Sequence, residues 1–134
     1  MFEKVEHLGI AVKNIEESVK LFEALLNSRC YKTEVVDSEK VTTAFFKAGE
    51  TKIELLESSS EESAIAKFIE KRGEGLHHIA FAVENIEQEM ARLKEKGFQL
   101  LSDNPFLGAD NKFVCFIHPK SCNGVLVELC QEIK

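Results

Sequence analysis

The chain has 134 residues, 44% of them hydrophobic and 30% charged, with a net charge of −6 and only 7 Gly and 2 Pro. That is enough sequence to bury one ordinary core, and too apolar a composition for a disordered chain. An acidic balance without clustered Lys and Arg excludes a nucleic-acid surface, and no apolar run approaches the roughly 20 residues that cross a bilayer.

The stretch Met1-Phe2-Glu3-Lys4-Val5-Glu6 has no signal-peptide core, which predicts a cytoplasmic protein with reduced thiols. Cys30, Cys115, Cys122 and Cys130 show no CxxC spacing, so free structural thiols are expected.

Residues 5 to 12 alternate as a strand does, with Val5, His7, Gly9 and Ala11 on one face and Leu8, Ile10 and Val12 on the other. The period then changes. Asn14 is a helix cap with Glu17 three residues on, and Ile15, Val19, Phe22 and Leu26 make an apolar stripe that should end near Asn27. Tyr31 to Asp37, Val41 to Lys47 and Lys52 to Glu57 read as three strands. Ser59-Ser60-Glu61-Glu62 resembles a helix start, followed by Ile65, Phe68 and Ile69 and closed by Gly73.

The order then repeats. Leu76 to Val83 reads as a strand, Asn85 caps a helix bearing Ile86, Met90 and Leu93, and Gly97 stops it. Phe98 to Leu101, Phe113 to His118 and Val125 to Cys130 supply the remaining strands. The expected organisation is one domain of two βαβββ modules, about residues 1–58 and 75–134, joined by a helix over about 60–73.

The copies share more than architecture. His7-Leu8-Gly9-Ile10-Ala11-Val12-Lys13-Asn14-Ile15-Glu16 recurs 71 residues later as His78-Ile79-Ala80-Phe81-Ala82-Val83-Glu84-Asn85-Ile86-Glu87, with about half of the paired positions identical. In each copy the histidine face continues with small residues while the opposite face is bulky. The bulky face should pack under helices and the small one should leave a hollow.

Late in each copy a carboxylate interrupts an apolar strand, Glu54 in Lys52-Ile53-Glu54-Leu55-Leu56 and Glu128 in Val127-Glu128-Leu129. Leu126 and Cys130 share the face of Glu128, so that face is not the solvated one. An unpaired carboxylate there costs several kcal/mol or takes up a proton, and a metal ion removes that penalty. His7, Glu54, His78 and Glu128 therefore form a candidate mixed nitrogen and oxygen site for Co²⁺, Ni²⁺, Mn²⁺ or Zn²⁺. His77 falls on the face opposite His78 and is read as structural. Glu57, Glu61 and Glu62 are read as a solvated cluster, and His118, before Pro119, as a turn or pocket-rim residue.

With these residues in view the chain resembles the vicinal oxygen chelate superfamily, whose fold is α+β, two tandem βαβββ modules forming a curved mixed sheet around a central metal site. Within it the chain is most similar to the methylmalonyl-CoA epimerase family. Gly75-Leu76-His77-His78-Ile79, Leu107-Gly108 and above all His118-Pro119-Lys120-Ser121-Cys122-Asn123-Gly124-Val125-Leu126-Val127-Glu128-Leu129 carry that likeness.

The resemblance implies a metal that binds the carboxylate and thioester oxygens of methylmalonyl-CoA and stabilises an enolate after loss of the C2 proton. Glu128 and Glu54 are then the catalytic candidates, each alternating between ligand and base. Lys112, Lys120 and Ser121 fall where a CoA phosphate or the substrate carboxylate is held, and a homodimer is implied. Two departures leave the second acid/base open: family members carry Gln at the place of Glu54, and an additional acidic residue in the strand matching Val41 to Lys47. Two rival functions accompany this reading. One is a lactoylglutathione lyase acting on a glutathione adduct, and the other is a binding domain without catalysis.

Overall fold

The computed structural model describes residues 1–134. The fold is α+β, with eight strands, three α-helices and one 3₁₀ turn, and the residues group into two compact units. The first unit is residues 7–77, and the second is residues 1–6 with 78–134.

The first unit draws on β1 (Lys4–Ala11), α1 (Ile15–Leu26), β2 (Lys32–Val36), β3 (Val41–Ala48), β4 (Thr51–Ser58) and α2 (Ala64–Arg72). Its strands lie in the order β2-β3-β4-β1, with the first two pairings antiparallel and β4 to β1 parallel. Asn14 caps α1 as its sequence predicts, its side chain accepting the Glu17 N–H at 3.0 Å, and Asn27 ends the helix in the left-handed conformation (φ 50°). Ile15, Val19, Phe22 and Leu26 lie against Ile10, Val12, Ala44, Phe46 and Leu55, so the bulky face of β1 packs under the helix.

The second unit repeats the arrangement with β5 (Gly75–Ala82), α3 (Ile86–Glu95), β6 (Phe106–Gly108), β7 (Lys112–Ile117) and β8 (Val127–Glu132), in the order β5-β8-β7-β6. Again β5 and β8 are parallel and the other pairings antiparallel. Asn85 caps α3 by accepting the Gln88 N–H at 3.0 Å. Ile86, Met90 and Leu93 are buried against Cys115, Ile117, Val127 and Leu129, with Ile79 and Phe81 of β5 beside them. Residues 1–6 complete this unit: the Glu3 N–H donates to the Ala82 carbonyl at 2.8 Å, and Phe2 stacks on Phe81 with ring centroids 5.1 Å apart.

Two elements depart from the sequence reading. The strand expected at Phe98 to Leu101 is reduced to one bridge, Leu100 to Ile117, and its place in the ladder passes to β6. Phe98 and Leu100 do pack into the core, but Pro105 follows a turn in which the Ser102 hydroxyl donates to the Asn104 carbonyl. A proline has no N–H for a ladder, so pairing stops and restarts at Phe106. The connecting helix begins later than Ser59: Ser63 is its cap, accepting the Ala66 N–H at 3.0 Å, while residues 59–62 form a turn. No helix is long and apolar enough to cross a membrane.

Candidate active site

Each unit sets one histidine beside one carboxylate by strand register. In the first, Gly9 lies opposite Glu54 in the parallel β1–β4 ladder, and His7, two residues earlier, shares the Gly9 face. His7 Nδ1 stands 3.1 Å from Glu54 Oε2, with both side chains buried. In the second, Ala80 lies opposite Glu128 and His78 two residues earlier, and His78 Nε2 stands 3.1 Å from Glu128 Oε1. The small residues Gly9 and Ala80 therefore sit directly across from the two carboxylates.

The repeat extends to the third strand. Phe45 of β3 is paired with Glu54, and Phe116 of β7 with Glu128. Each phenylalanine meets a second ring, Tyr31 at 6.1 Å for Phe45 and Phe106 at 6.2 Å for Phe116, and Phe116 also presents an edge to the His78 imidazole at 5.8 Å. These aromatic neighbours dry the surroundings of the carboxylates and raise the stakes of every polar contact there. Sequence reading did not identify them. The usable signal was the position of each phenylalanine in a hairpin with its glutamate, which requires the turn to be located first.

The donor set fits a divalent ion. Two ligand atoms that share an ion at about 2.1 Å and roughly a right angle stand about 3.0 Å apart, and each pair is separated by 3.1 Å. Imidazole nitrogen with carboxylate oxygen is the mixture that suits Zn²⁺, Co²⁺, Ni²⁺ or Mn²⁺.

The other candidate residues are placed as follows. Lys112 opens β7 and is buried, its Nζ 3.8 Å from Asp110 and 4.0 Å from Glu6. On that strand it shares the face of Val114 and Phe116, the face that holds Glu128. Lys120 is exposed on the 3₁₀ turn Pro119–Cys122. The Ser121 hydroxyl accepts the Gln99 N–H at 3.0 Å and ties that turn to the preceding chain. His118 caps the turn through Nδ1, which accepts the Lys120 N–H, while His77 stands edge-on to Phe68 of α2 at 5.0 Å. All four cysteines are free thiols. Burial, with the Glu128 charge nearby, pushes Cys115 from 9.0 up to about 11, the backbone hydrogen bond at Leu129 opposing this only in part.

Residues 6–116 match the model of the glyoxalase/bleomycin resistance protein/dioxygenase superfamily. An ethylmalonyl-CoA/methylmalonyl-CoA epimerase of Cereibacter sphaeroides is 40% identical, the match covering 98% of this chain and 99% of that one. A variant of the Streptomyces coelicolor methylmalonyl-CoA epimerase, solved in complex with 2-nitronate-propionyl-CoA, superposes with a TM-score of 0.96 over the whole of both chains at 33% identity. The chain belongs to the methylmalonyl-CoA epimerase family. It is thus an enzyme of the vicinal oxygen chelate superfamily and has the fold of the methylmalonyl-CoA epimerases. A hypothetical protein of Bacillus halodurans is likewise similar, with 46% identity, a TM-score of 0.94, and coverage of 98% of this chain and 95% of that one.

Proposed function

We propose that the protein interconverts the 2R and 2S epimers of methylmalonyl-CoA with the help of one divalent ion held by His7, Glu54, His78 and Glu128. The observation that carries this reading is the repetition of a buried histidine–carboxylate pair at one register in both units, in a chain of the epimerase family. When bound, the ion supplies Lewis-acid polarisation of the thioester carbonyl, which makes the C2 proton removable near neutral pH.

The chain's own residues do the rest. Epimerisation needs a base toward one face of C2 and an acid toward the other, and Glu54 and Glu128 are the two carboxylates for those roles. His7 and His78 would share the ion with them, so that neither acid stands in the site as an uncompensated buried charge. Phe45 and Phe116 lie beside the carboxylates, keep water away and preserve the basicity that proton abstraction requires. Lys112, Lys120 and Ser121 are assigned to the anionic parts of the acyl-CoA, the buried Lys112 being suited to a carboxylate and the exposed Lys120 to a phosphate. The proposed place of this activity is the cytoplasm.

The test is incubation of the metal-loaded protein with (2R)- or (2S)-methylmalonyl-CoA in deuterated water. Interconversion of the epimers with deuterium appearing at C2 is expected. Absence of exchange, together with turnover of the methylglyoxal–glutathione adduct, overturns the assignment in favour of a lyase.

A further inference from the structure

The Thr43 hydroxyl is buried and makes no hydrogen bond, and the residue as a whole is 0% exposed. A buried hydroxyl left without a partner costs about 1–3 kcal/mol, so its retention needs a reason. Shape is not one. The two units share a register in which Thr43 pairs with Leu56 and Val114 with Cys130, each two residues before the phenylalanine that faces the glutamate. At that position the second unit holds valine, which has the same branched outline and no oxygen, and it is buried equally well at 3%. The fold accepts the apolar isostere there.

The hydroxyl has two carboxylates near it by register. Glu34 is directly opposite on β2, and its carboxylate lies 3.3 Å from Lys32 Nζ. Glu54 is the diagonal neighbour on β4: Phe45 pairs with Glu54 and Thr43 with Leu56, so Thr43 and Glu54 share one face at a separation that long side chains bridge. Thr43 thus places a hydroxyl on the diagonal from Glu54 where Val114 occupies the corresponding diagonal from Glu128.

We propose that Thr43 is a positioning residue for Glu54: with a divalent ion bound, its hydroxyl donates to the Glu54 carboxylate oxygen turned away from the ion. The inference rests on the metal site proposed above. It makes the two glutamates unequal, since a hydroxyl stands on the diagonal from Glu54 where apolar Val114 stands on the diagonal from Glu128. Residues that hydrogen-bond a metal ligand in this way typically account for about 10–100-fold in metal affinity.

The experiment is calorimetric titration of the metal-free protein with Co²⁺ for the parent chain and for Thr43→Val and Thr43→Ser, alongside thermal unfolding of the metal-free forms. Thr43→Val should melt at the parent temperature or above it, since an unpaired hydroxyl has been removed, yet bind Co²⁺ about 10–100-fold more weakly. Thr43→Ser, which keeps the hydroxyl, should bind like the parent. Equal affinity in the parent and Thr43→Val overturns the role of Thr43 and leaves the metal site standing. Failure of the parent chain to bind Co²⁺ at all overturns the metal site, and the role of Thr43 with it.

Discussion

The two units place the same chemical pair at the same register on differently packed supports. In the second unit α3 buries Ile86, Met90 and Leu93 against the sheet, whereas α1 of the first has no fully buried residue and leaves Leu21 and Leu25 exposed at 65% and 69%. Even so, the histidine–carboxylate distance is 3.1 Å in both. Strand register, not helix packing, sets the geometry of the site. A parallel ladder that puts Gly9 across from Glu54 and Ala80 across from Glu128 fixes the pairs wherever the helices settle.

The largest test of this equivalence is removal of one histidine at a time. His7→Ala and His78→Ala should each weaken metal binding by more than the roughly 10–100-fold expected for a supporting residue, measured by metal analysis after gel filtration. Stoichiometric metal retained by both variants breaks the comparison outright. Next in size are the core leucines that follow the carboxylates, Leu55 and Leu129, both 0% exposed. Replacement by alanine should cost about 2–5 kcal/mol in urea unfolding. Leu129→Ala should be the costlier, because α3 buries Ile86, Met90 and Leu93 in the cluster that holds Leu129, whereas α1 buries no residue fully.

The helix caps should then be equal. Asn14→Ala and Asn85→Ala each remove one acceptor from a helix N–H and should each cost about 1 kcal/mol, so a clear inequality between them in thermal unfolding would show that the packing of α1 and α3 reaches the caps. The smallest effect vanishes at neutral pH. Cys115 lies opposite Leu129 as Ala44 lies opposite Leu55. Its thiol is raised from 9.0 to about 11 in the folded chain. Below pH 9 the folded and unfolded chains both keep the proton. Between pH 9 and 11 only the unfolded chain loses it, and stability falls. Cys115→Ala, which copies the first unit, should flatten that alkaline slope in urea titrations at pH 8 to 11.

Most of the fold was legible because its signals are local. The caps Asn14 and Asn85, the apolar stripes of α1 and α3 and the alternation in β1 and β5 all act within a few residues. The repeat that begins at His7 and His78 drew attention to the candidate site, and a strand period of two places Glu128 on a covered face, where the structure buries it to 6% exposure. What escaped depended on distant partners. The strand expected at Phe98 to Leu101 is one bridge long, Leu100 to Ile117, and pairing with β7 resumes only after Pro105. Glu6 is buried at 4% exposure with Lys112 as an ion partner 106 positions along the chain. The orphan hydroxyl of Thr43 is invisible in sequence, because a threonine in a strand is unremarkable until its neighbours across the sheet are known.

Residues 1–6 pack with 78–134 rather than with the segment that follows them. This separation bears on the order in which the chain acquires its structure. Residues 7–77 form a contiguous unit whose contacts are all available while later residues are still being synthesised. The other unit must join its two pieces across more than seventy intervening residues, a closure that is slow by topology. Phe2, Glu3 and Glu6 therefore wait for partners made more than seventy residues later, and residues 1–6 are among the last to dock.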